Sequence, residues 1–437
     1  MSDYGWNWFH YDSRLYNSKN LFGMTFSKYN RRKKIKILQI SKGGFPSEIR
    51  VVKEGLSFQK SGYKSAVLCT PEKDQPEYEV WEGIELFRPK ILKDRSTFDK
   101  LLSEAGLFSL CWYRAINQAI KQYRPDIIHV HDVWLGRVIF SVKTEQKVVI
   151  DLHENWPAAV VEYQKGFRGP QLWFRLLFHG RSRIFSYERN LLGKSDLILT
   201  VVQEAHDRVL ANHPHLNSDK VVNVENLESK LFIADPFSGK AAFGKDHFSI
   251  LYIGGFGPHR GIDTLIQAMV PIKEQKLNIK IQLIGARPSQ YLNMLEELIT
   301  ELGVKEQVQI TGWVDSNNVL ANIKKADVCC VPHHSNPHTD NTIPHKLFQY
   351  MIAKRPILVS SSPPLSRTIK KANAGMVFSA GDPNDCAQKI IALSEDINNR
   401  NAFAENGYRY VMNEGHNWEE ESGPRLIDSY DKLLGLN

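Results

Sequence analysis

The stretch GGFGPHRGIDTLIQAM, residues 254–269, sets three glycines and a basic residue directly behind a short apolar run. Gly254, Gly255 and Gly257 leave backbone N–H groups accessible, the pattern predicts a helix from near Gly261, and Arg260 stands at that helix's N-terminus. Free amides, the positive end of a helix dipole and a guanidinium together make a site for a diphosphate. Neither the P-loop spacing nor GxGxxG is present, so the signal is the coincidence of glycines and a cation at a strand end. A second stretch, HHSNPHTDNTIPHKLFQYM at 333–351, places four histidines and Lys346 behind another apolar run and starts a helix near His345. Its chemistry is that of a ligand loop or, through His333, His334, His338 and Asp340, of a metal site.

The first half carries a looser set. SKGGFPSEIRVV places Gly43 and Gly44 behind an apolar run, as a tight turn or as a backbone approach to a ligand. DIIHVHDVW and VVIDLHENWP bring His129, His131, Asp132, His153 and Glu154 to strand ends. His129 and His131 alternate with Val130, so one of them is expected to face the core, and the two clusters lack a zinc-site spacing. A histidine that hydrogen-bonds a sugar or phosphate is the preferred reading, and a metal the lesser one. Residues 165–194 interleave seven basic residues with aromatics against one acid, Glu188. They read equally as a basic face on an anionic membrane or as an ordinary helix with solvated arginines.

These groups need elements to hold them. Short apolar runs at 35–40, 65–69, 126–130, 148–151, 197–201 and 221–224 predict one series of strands. Runs at 249–255, 279–286, 308–312, 327–332, 356–360 and 375–378 predict another, after a turn-rich break. Continuous apolar strands separated by helical patterns mean parallel sheets buried on both faces, hence two doubly wound α/β domains. Ligands of such sheets bind beyond the carboxyl ends of the strands, where the loops above lie.

Bulk properties agree with a globular chain of two domains: 437 residues, 42% hydrophobic and 24% charged. A net charge of +8 points to anionic partners, but no nucleic-acid module accompanies it. Five scattered cysteines without a CxxC suit a reducing cytoplasm. The opening MSDYGWNWFHYDSRLYN has no apolar core and is not expected to be a secretory signal.

LYIGGFGPHRGIDTLIQAM, IQLIGARPSQYLNMLEELITELGVKEQVQITGWV, ADVCCVPHHSN and IPHKLFQYMIAKRPILVS, spread from Leu251 to Ser360, together resemble the family-4 glycosyltransferases. The first half resembles them more loosely, through GGFPSE, RPDIIHVHD and DLHENWP. The resemblance implies a GT-B architecture, two Rossmann-like doubly wound domains facing a cleft, and retaining transfer from a nucleotide-sugar donor to a saccharide or lipid-linked saccharide acceptor. It implies no cofactor and no metal, because protein cations neutralise the diphosphate. The expected divisions are an extension at 1–34, an acceptor-side domain at 35–232, a nucleotide-sugar domain at 246–415 and a C-terminal helix at 416–437 crossing back to the first domain. Cytoplasmic location with peripheral contact to the inner membrane face through 165–194 completes the expectation.

Carried over by residue, Arg260 holds the diphosphate and His153 lies near the donor sugar. Gly43, Gly44, Gly255 and Gly257 line the donor, Trp313 and Val314 bracket the base, and Thr342 and Ile343 belong to the donor loop. Two departures stand out. The arginine usual after the first glycine of the strand-end turn is Gly255, and two glutamates eight positions apart fall on Asn341 and Gln349. Asn341 cannot be a carboxylate nucleophile. The expected route is therefore front-face attack, with the leaving diphosphate accepting the proton, Arg260 stabilising its charge and Lys346 supplying the cation missing at Gly255. The rivals are a binding protein without turnover and a metalloenzyme built on the 333–340 histidines; the cofactor-lysine motif of a glycogen phosphorylase is absent.

Overall fold

The computed structural model describes residues 26–72, 74–104, 107–142, 145–164, 181–234, 247–315 and 318–436. The described residues up to Glu225 and from Ser422 onward form one compact unit, and Asn226–Glu421 form another. The division thus falls at 225/226 and 421/422, where 232/246 and 415/416 were expected.

The first unit is built on an eight-stranded sheet: β1 (Lys36–Ile40), β2 (Lys64–Leu68), β3 (Tyr78–Trp81), β4 (Ile84–Phe87), β5 (Ile127–His131), β6 (Lys147–Leu152), β7 (Leu197–Thr200) and β8 (Val221–Asn223). Their spatial order is β3-β4-β2-β1-β5-β6-β7-β8, parallel throughout except for the antiparallel β3–β4 pair. That hairpin escaped the sequence reading. Its two-residue turn, Glu82-Gly83, takes positive φ at both positions, which matches the twist of the flanking strands. Leu38, Ile40, Ile128, Val130, Ile150 and Ile198 are fully or almost fully buried, as interior parallel strands require.

The second unit holds a six-stranded parallel sheet: β9 (Phe248–Ile253), β10 (Ile279–Ala286), β11 (Val308–Gly312), β12 (Val328–Val331), β13 (Ile357–Ser360) and β14 (Gly375–Phe378). The order is β11-β10-β9-β12-β13-β14. All twelve strands read from the apolar runs are present, and both units are Rossmann-like. In each sheet the first strand has successors on both sides, β2 and β5 around β1, β10 and β12 around β9. At such a reversal the outgoing loops diverge and leave a crevice at the carboxyl ends.

Helix α1 (Phe26–Arg32) and the C-terminal helix both join the first unit. Helix α1 lies within the stretch read as an extension, and its Arg32 is buried. Arg32 Nε donates to Asp431 Oδ1 at 2.9 Å, and Tyr63 Oη donates to the same oxygen at 2.7 Å. Asp431 belongs to the C-terminal helix, Gly423–Leu433, which packs on α2 (Ile49–Lys60). Within 165–194, residues 165–180 lie outside the described residues. The remainder, Arg181–Lys194, is a helix that buries Ile184, Tyr187, Leu191 and Leu192, with Glu188 ion-paired to Arg208. No helix among the described residues is long and apolar enough to cross a membrane. Asp431→Ala would strand a buried guanidinium, so it should destabilise the fold by about 3–5 kcal/mol. Chemical denaturation of the variant against wild type measures this.

Candidate active site

Each sheet presents its chemistry at its point of strand reversal. In the second unit, β9 ends at Ile253 and the glycine turn follows; β12 ends at Val331 and the histidine loop follows. Two glycines are fixed there by geometry. Gly261 has φ +65°, and a Cβ on it would stand 1.9 Å from the Pro332 carbonyl oxygen, so the two loops touch backbone to backbone. Gly254 has φ +143°, and a Cβ on it would stand 2.7 Å from Lys346 Nζ. The ammonium of Lys346 therefore occupies the space beside the glycine turn, while Gly255 opens onto free space.

Around this contact the loops assemble a cationic cluster. Lys346 opens the helix Lys346–Ile352, is only 8% exposed, and holds Nζ 4.0 Å from the Tyr252 ring centroid. Arg260 NH1 donates to His333 Nε2 at 3.2 Å, which leaves the proton of His333 on Nδ1, buried and without an acceptor. Among the described residues neither Arg260 nor Lys346 has a carboxylate partner. Burial and the neighbouring Arg260 hold Lys346 and His333 well below their usual ranges and push His338 down to about 4. Gly257, in extended backbone, caps the short turn that carries Arg260.

The remaining positions of this unit divide. Asn341 Nδ2 donates to the Pro337 carbonyl at 2.8 Å, and Asp340 accepts from Ser335 and Ser362. Gln349 is buried, and its Nε2 donates to Glu228 Oε2 at 2.7 Å, so a carboxylate from another segment stands one hydrogen bond from where a glutamate was expected. Thr342 is half-buried, and buried Ile343 turns its carbonyl to Asn226. Trp313 is exposed beneath the Arg287 guanidinium, 4.2 Å from the ring centroid, with Val314 half-buried beside it. The four loop residues of the metal reading do not converge: His333 meets Arg260, His334 meets Asp263 at 3.0 Å, His338 packs on His259, and Asp340 meets the serines.

The first unit builds a different centre. The register pairs Gln39 with His129 and His131 with Asp151. His131 Nε2 meets Gln39 Oε1 at 3.1 Å and so carries the proton there; its bare Nδ1 faces His153 Nε2 at 3.0 Å. His153 Nε2 also donates to Asp151 Oδ2 at 2.8 Å, and its backbone N–H donates to Asp132 Oδ1 at 2.9 Å. Asp132 takes φ +63°, an uncommon conformation for a non-glycine residue, held by these bonds at the strand end. Although burial opposes charge on His153, Asp132 and Asp151 push it up to about 9, whereas burial drives His131 down to about 4. His153 is thus an imidazolium and His131 a neutral ring. Gly43 and Gly44 lie in the turn after β1, but a Cβ on either would collide with Glu48 or Glu72 respectively. Carboxylates at that turn suit a hydroxyl better than a phosphate.

Sequence reasoning passed over Glu48, Arg50, Glu54 and Asp151. Arg50 and Glu54 lie four residues apart on α2, a spacing that reads as a solvated helix pair, yet both are buried. Glu54, His129, His131 and Asp151 do bring ligand-type atoms together. The Arg50 guanidinium already stands 2.7 Å from Asp151 Oδ2 and would repel a dication there.

A family model described as Glycosyl transferases group 1 matches residues 235–410, and one described as Glycosyltransferase Family 4 matches residues 48–226. The chain belongs to the family-4 glycosyltransferases. An uncharacterised glycosyltransferase of Methanocaldococcus jannaschii is 28% identical to this chain over 174 residues, 40% of this chain and 42% of the relative. Phosphatidyl-myo-inositol mannosyltransferase of Mycobacterium leprae is 25% identical over 184 residues, 41% of this chain and 45% of the relative. The chain therefore spans less than half the length of these two curated relatives. Among solved structures, sucrose-phosphate synthase from Thermosynechococcus elongatus aligns with a TM-score of 0.75 at 18% identity, over 92% of this chain and 100% of that one. Anabaena HepE in complex with UDP-glucose aligns with a TM-score of 0.64 at 12% identity, over 92% and 100%. These structural likenesses show the GT-B fold of the family.

A polyanion placed against Arg260, Lys346 and His333 raises the proton affinity of the last two, so the bound state holds more protons than the free one. Inorganic diphosphate should bind this protein with proton uptake and with affinity that falls as pH rises from 6.5 to 9. Calorimetry in buffers of different ionisation enthalpy reads both quantities.

Proposed function

We propose that this chain is a retaining, metal-independent enzyme that moves a hexosyl group from a nucleotide-diphosphate sugar of UDP or GDP type to an acceptor hydroxyl. The observation that carries this reading is the cluster of half-buried Arg260, buried Lys346 and the buried His333 N–H, which offers several donors and, among the described residues, has no carboxylate to satisfy them. A diphosphate supplies the missing charge. That HepE was solved with UDP-glucose, on the same fold, supports a nucleotide sugar as its source. The name of the mycobacterial relative supports a lipid-linked acceptor, in glycolipid or cell-surface polysaccharide synthesis.

In the proposed step the bond from the anomeric carbon to the donor phosphate oxygen breaks on the same face at which the acceptor oxygen attacks. The acceptor proton passes to an oxygen of the departing diphosphate, and Arg260 and Lys346 stabilise the charge that develops there. No enzyme nucleophile is required. Asn341 has none to offer, and Asp340 is committed to Ser335 and Ser362. His153, charged and held by Asp151, donates to a hydroxyl of the transferred sugar. Gln349, held by Glu228, offers its carbonyl oxygen as an acceptor for the donor, and Trp313 with Val314 brackets the base.

The two uncharged positions, Asn341 and Gln349, favour one rival, a protein that holds a nucleotide without turning it over. Release of nucleoside diphosphate from a panel of UDP- and GDP-sugars, with and without acceptor lipids, separates the two. Arg260→Ala should lower kcat by about 10²–10³-fold, the scale for losing one charge-stabilising donor. Lys346→Ala should lower kcat and also raise the donor KM. A Lys346→Ala enzyme with wild-type kinetics would show that this lysine does not replace the cation absent at Gly255.

A further inference from the structure

In the core of the first unit, two carboxyls meet one guanidinium. Arg50 Nε stands 2.7 Å from Asp151 Oδ2 and 3.1 Å from Glu54 Oε1, and Arg50 NH2 donates to Asp151 Oδ1 at 2.9 Å. Glu54 and Asp151 are both fully buried. One cation balances one carboxylate, and a second carboxylate in the same dry space lowers its energy by keeping a proton. Asp151 is the ionised member, since it also receives the His153 N–H at 2.8 Å. Glu54 has no aligned hydrogen bond; it stands against Arg50 on its own helix and His129 Nε2 on β5, at 3.2 Å, and ligand-type atoms of His131 and Asp151 lie within 4.8 Å of its own. His129 Nδ1 in turn meets Tyr430 Oη of the C-terminal helix at 2.5 Å.

Burial and the Asp151 charge push Glu54 up to about 8, while Arg50 and His153 hold Asp151 well below the usual carboxylate range in spite of burial. The groups facing Glu54 are Arg50 from α2, His129 and His131 from β5, Asp151 from β6, His153 beyond β6, and Tyr430 through His129.

We infer that, of the two carboxyls beneath Arg50, Glu54 holds the one proton while Asp151 stays ionised, and that Glu54, once it gives that proton up, is the positioning residue that keeps His153 charged. The consequence for transfer rests on the role proposed for His153; the proton on Glu54 does not. Ionised Glu54 adds a negative charge next to the Arg50–Asp151–His153 chain and so favours the imidazolium. Glu54→Gln keeps the shape and removes that charge.

Carboxyl-carbon NMR of the full chain labelled with ¹³C-glutamate tests the pair. One glutamate, assigned by Glu54→Gln or, where that variant does not fold, by Glu54→Asp, should titrate near pH 8. A Glu54 resonance already ionised at pH 6 overturns the inference. Imidazole-carbon NMR then tests the positioning: Glu54→Gln should lower the His153 midpoint by about 0.5 unit or more. An unmoved midpoint shows that Glu54 does not act on His153. Both readouts need no donor, so their failure leaves the transfer reading standing, and a protein inactive on every sugar leaves the proton on Glu54 standing.

Discussion

Burying an ammonium beside a guanidinium, with no carboxylate in reach among the described residues, costs several kcal/mol of desolvation, of which the Tyr252 ring returns only a part. The second unit accepts this cost at one place, where Lys346 and Arg260 flank the glycine turn. The surrounding histidines respond as electrostatics requires, by giving up their protons. A fold that keeps such a cluster through packing rather than pairing is prepared for a ligand that brings charge with it. The strength of that preparation comes from the low dielectric around the cations, which would be lost if the site were flooded.

The cluster depends on two close approaches that only glycine permits. Gly261 lets the turn after β9 lie against the carbonyl of Pro332, and Gly254 leaves the room that Lys346 fills. Both loops leave the sheet at the point where strand order reverses, so the same topology that buries the strands also opens the crevice. The first unit repeats the arrangement around β1, β5 and β6 with opposite chemistry. There carboxylates outnumber free cations, and their product is a stable imidazolium on His153.

Much of this was legible in the sequence. Strand runs such as SILYIGG and DVCCVP are continuous and apolar because both faces are covered, and that pattern survives reading without a partner. The β3–β4 hairpin was not legible, since YEVW alternates exposed and half-buried residues and its turn, Glu82-Gly83, lacks the commonest signal. Arg260, Lys346 and the glycine turns announce themselves by residue type at strand ends. The His153 centre does not: Arg50 and Glu54 look like surface charges on α2, and their partner Asp151 lies about a hundred positions away. The same holds for Gln349, whose missing charge is answered by Glu228, a residue no local pattern connects to it.

The central claim is that the paired loops of the second unit bind a nucleoside diphosphate through their unpaired cations. Hydrogen–deuterium exchange of the full chain, with and without UDP or GDP, tests it directly. The account predicts slowed exchange at the amides of 254–261 and 333–349, with 313–314 beside the base, in the presence of the fitting nucleotide. Unchanged exchange across both stretches at saturating nucleotide, or protection located elsewhere, would contradict it.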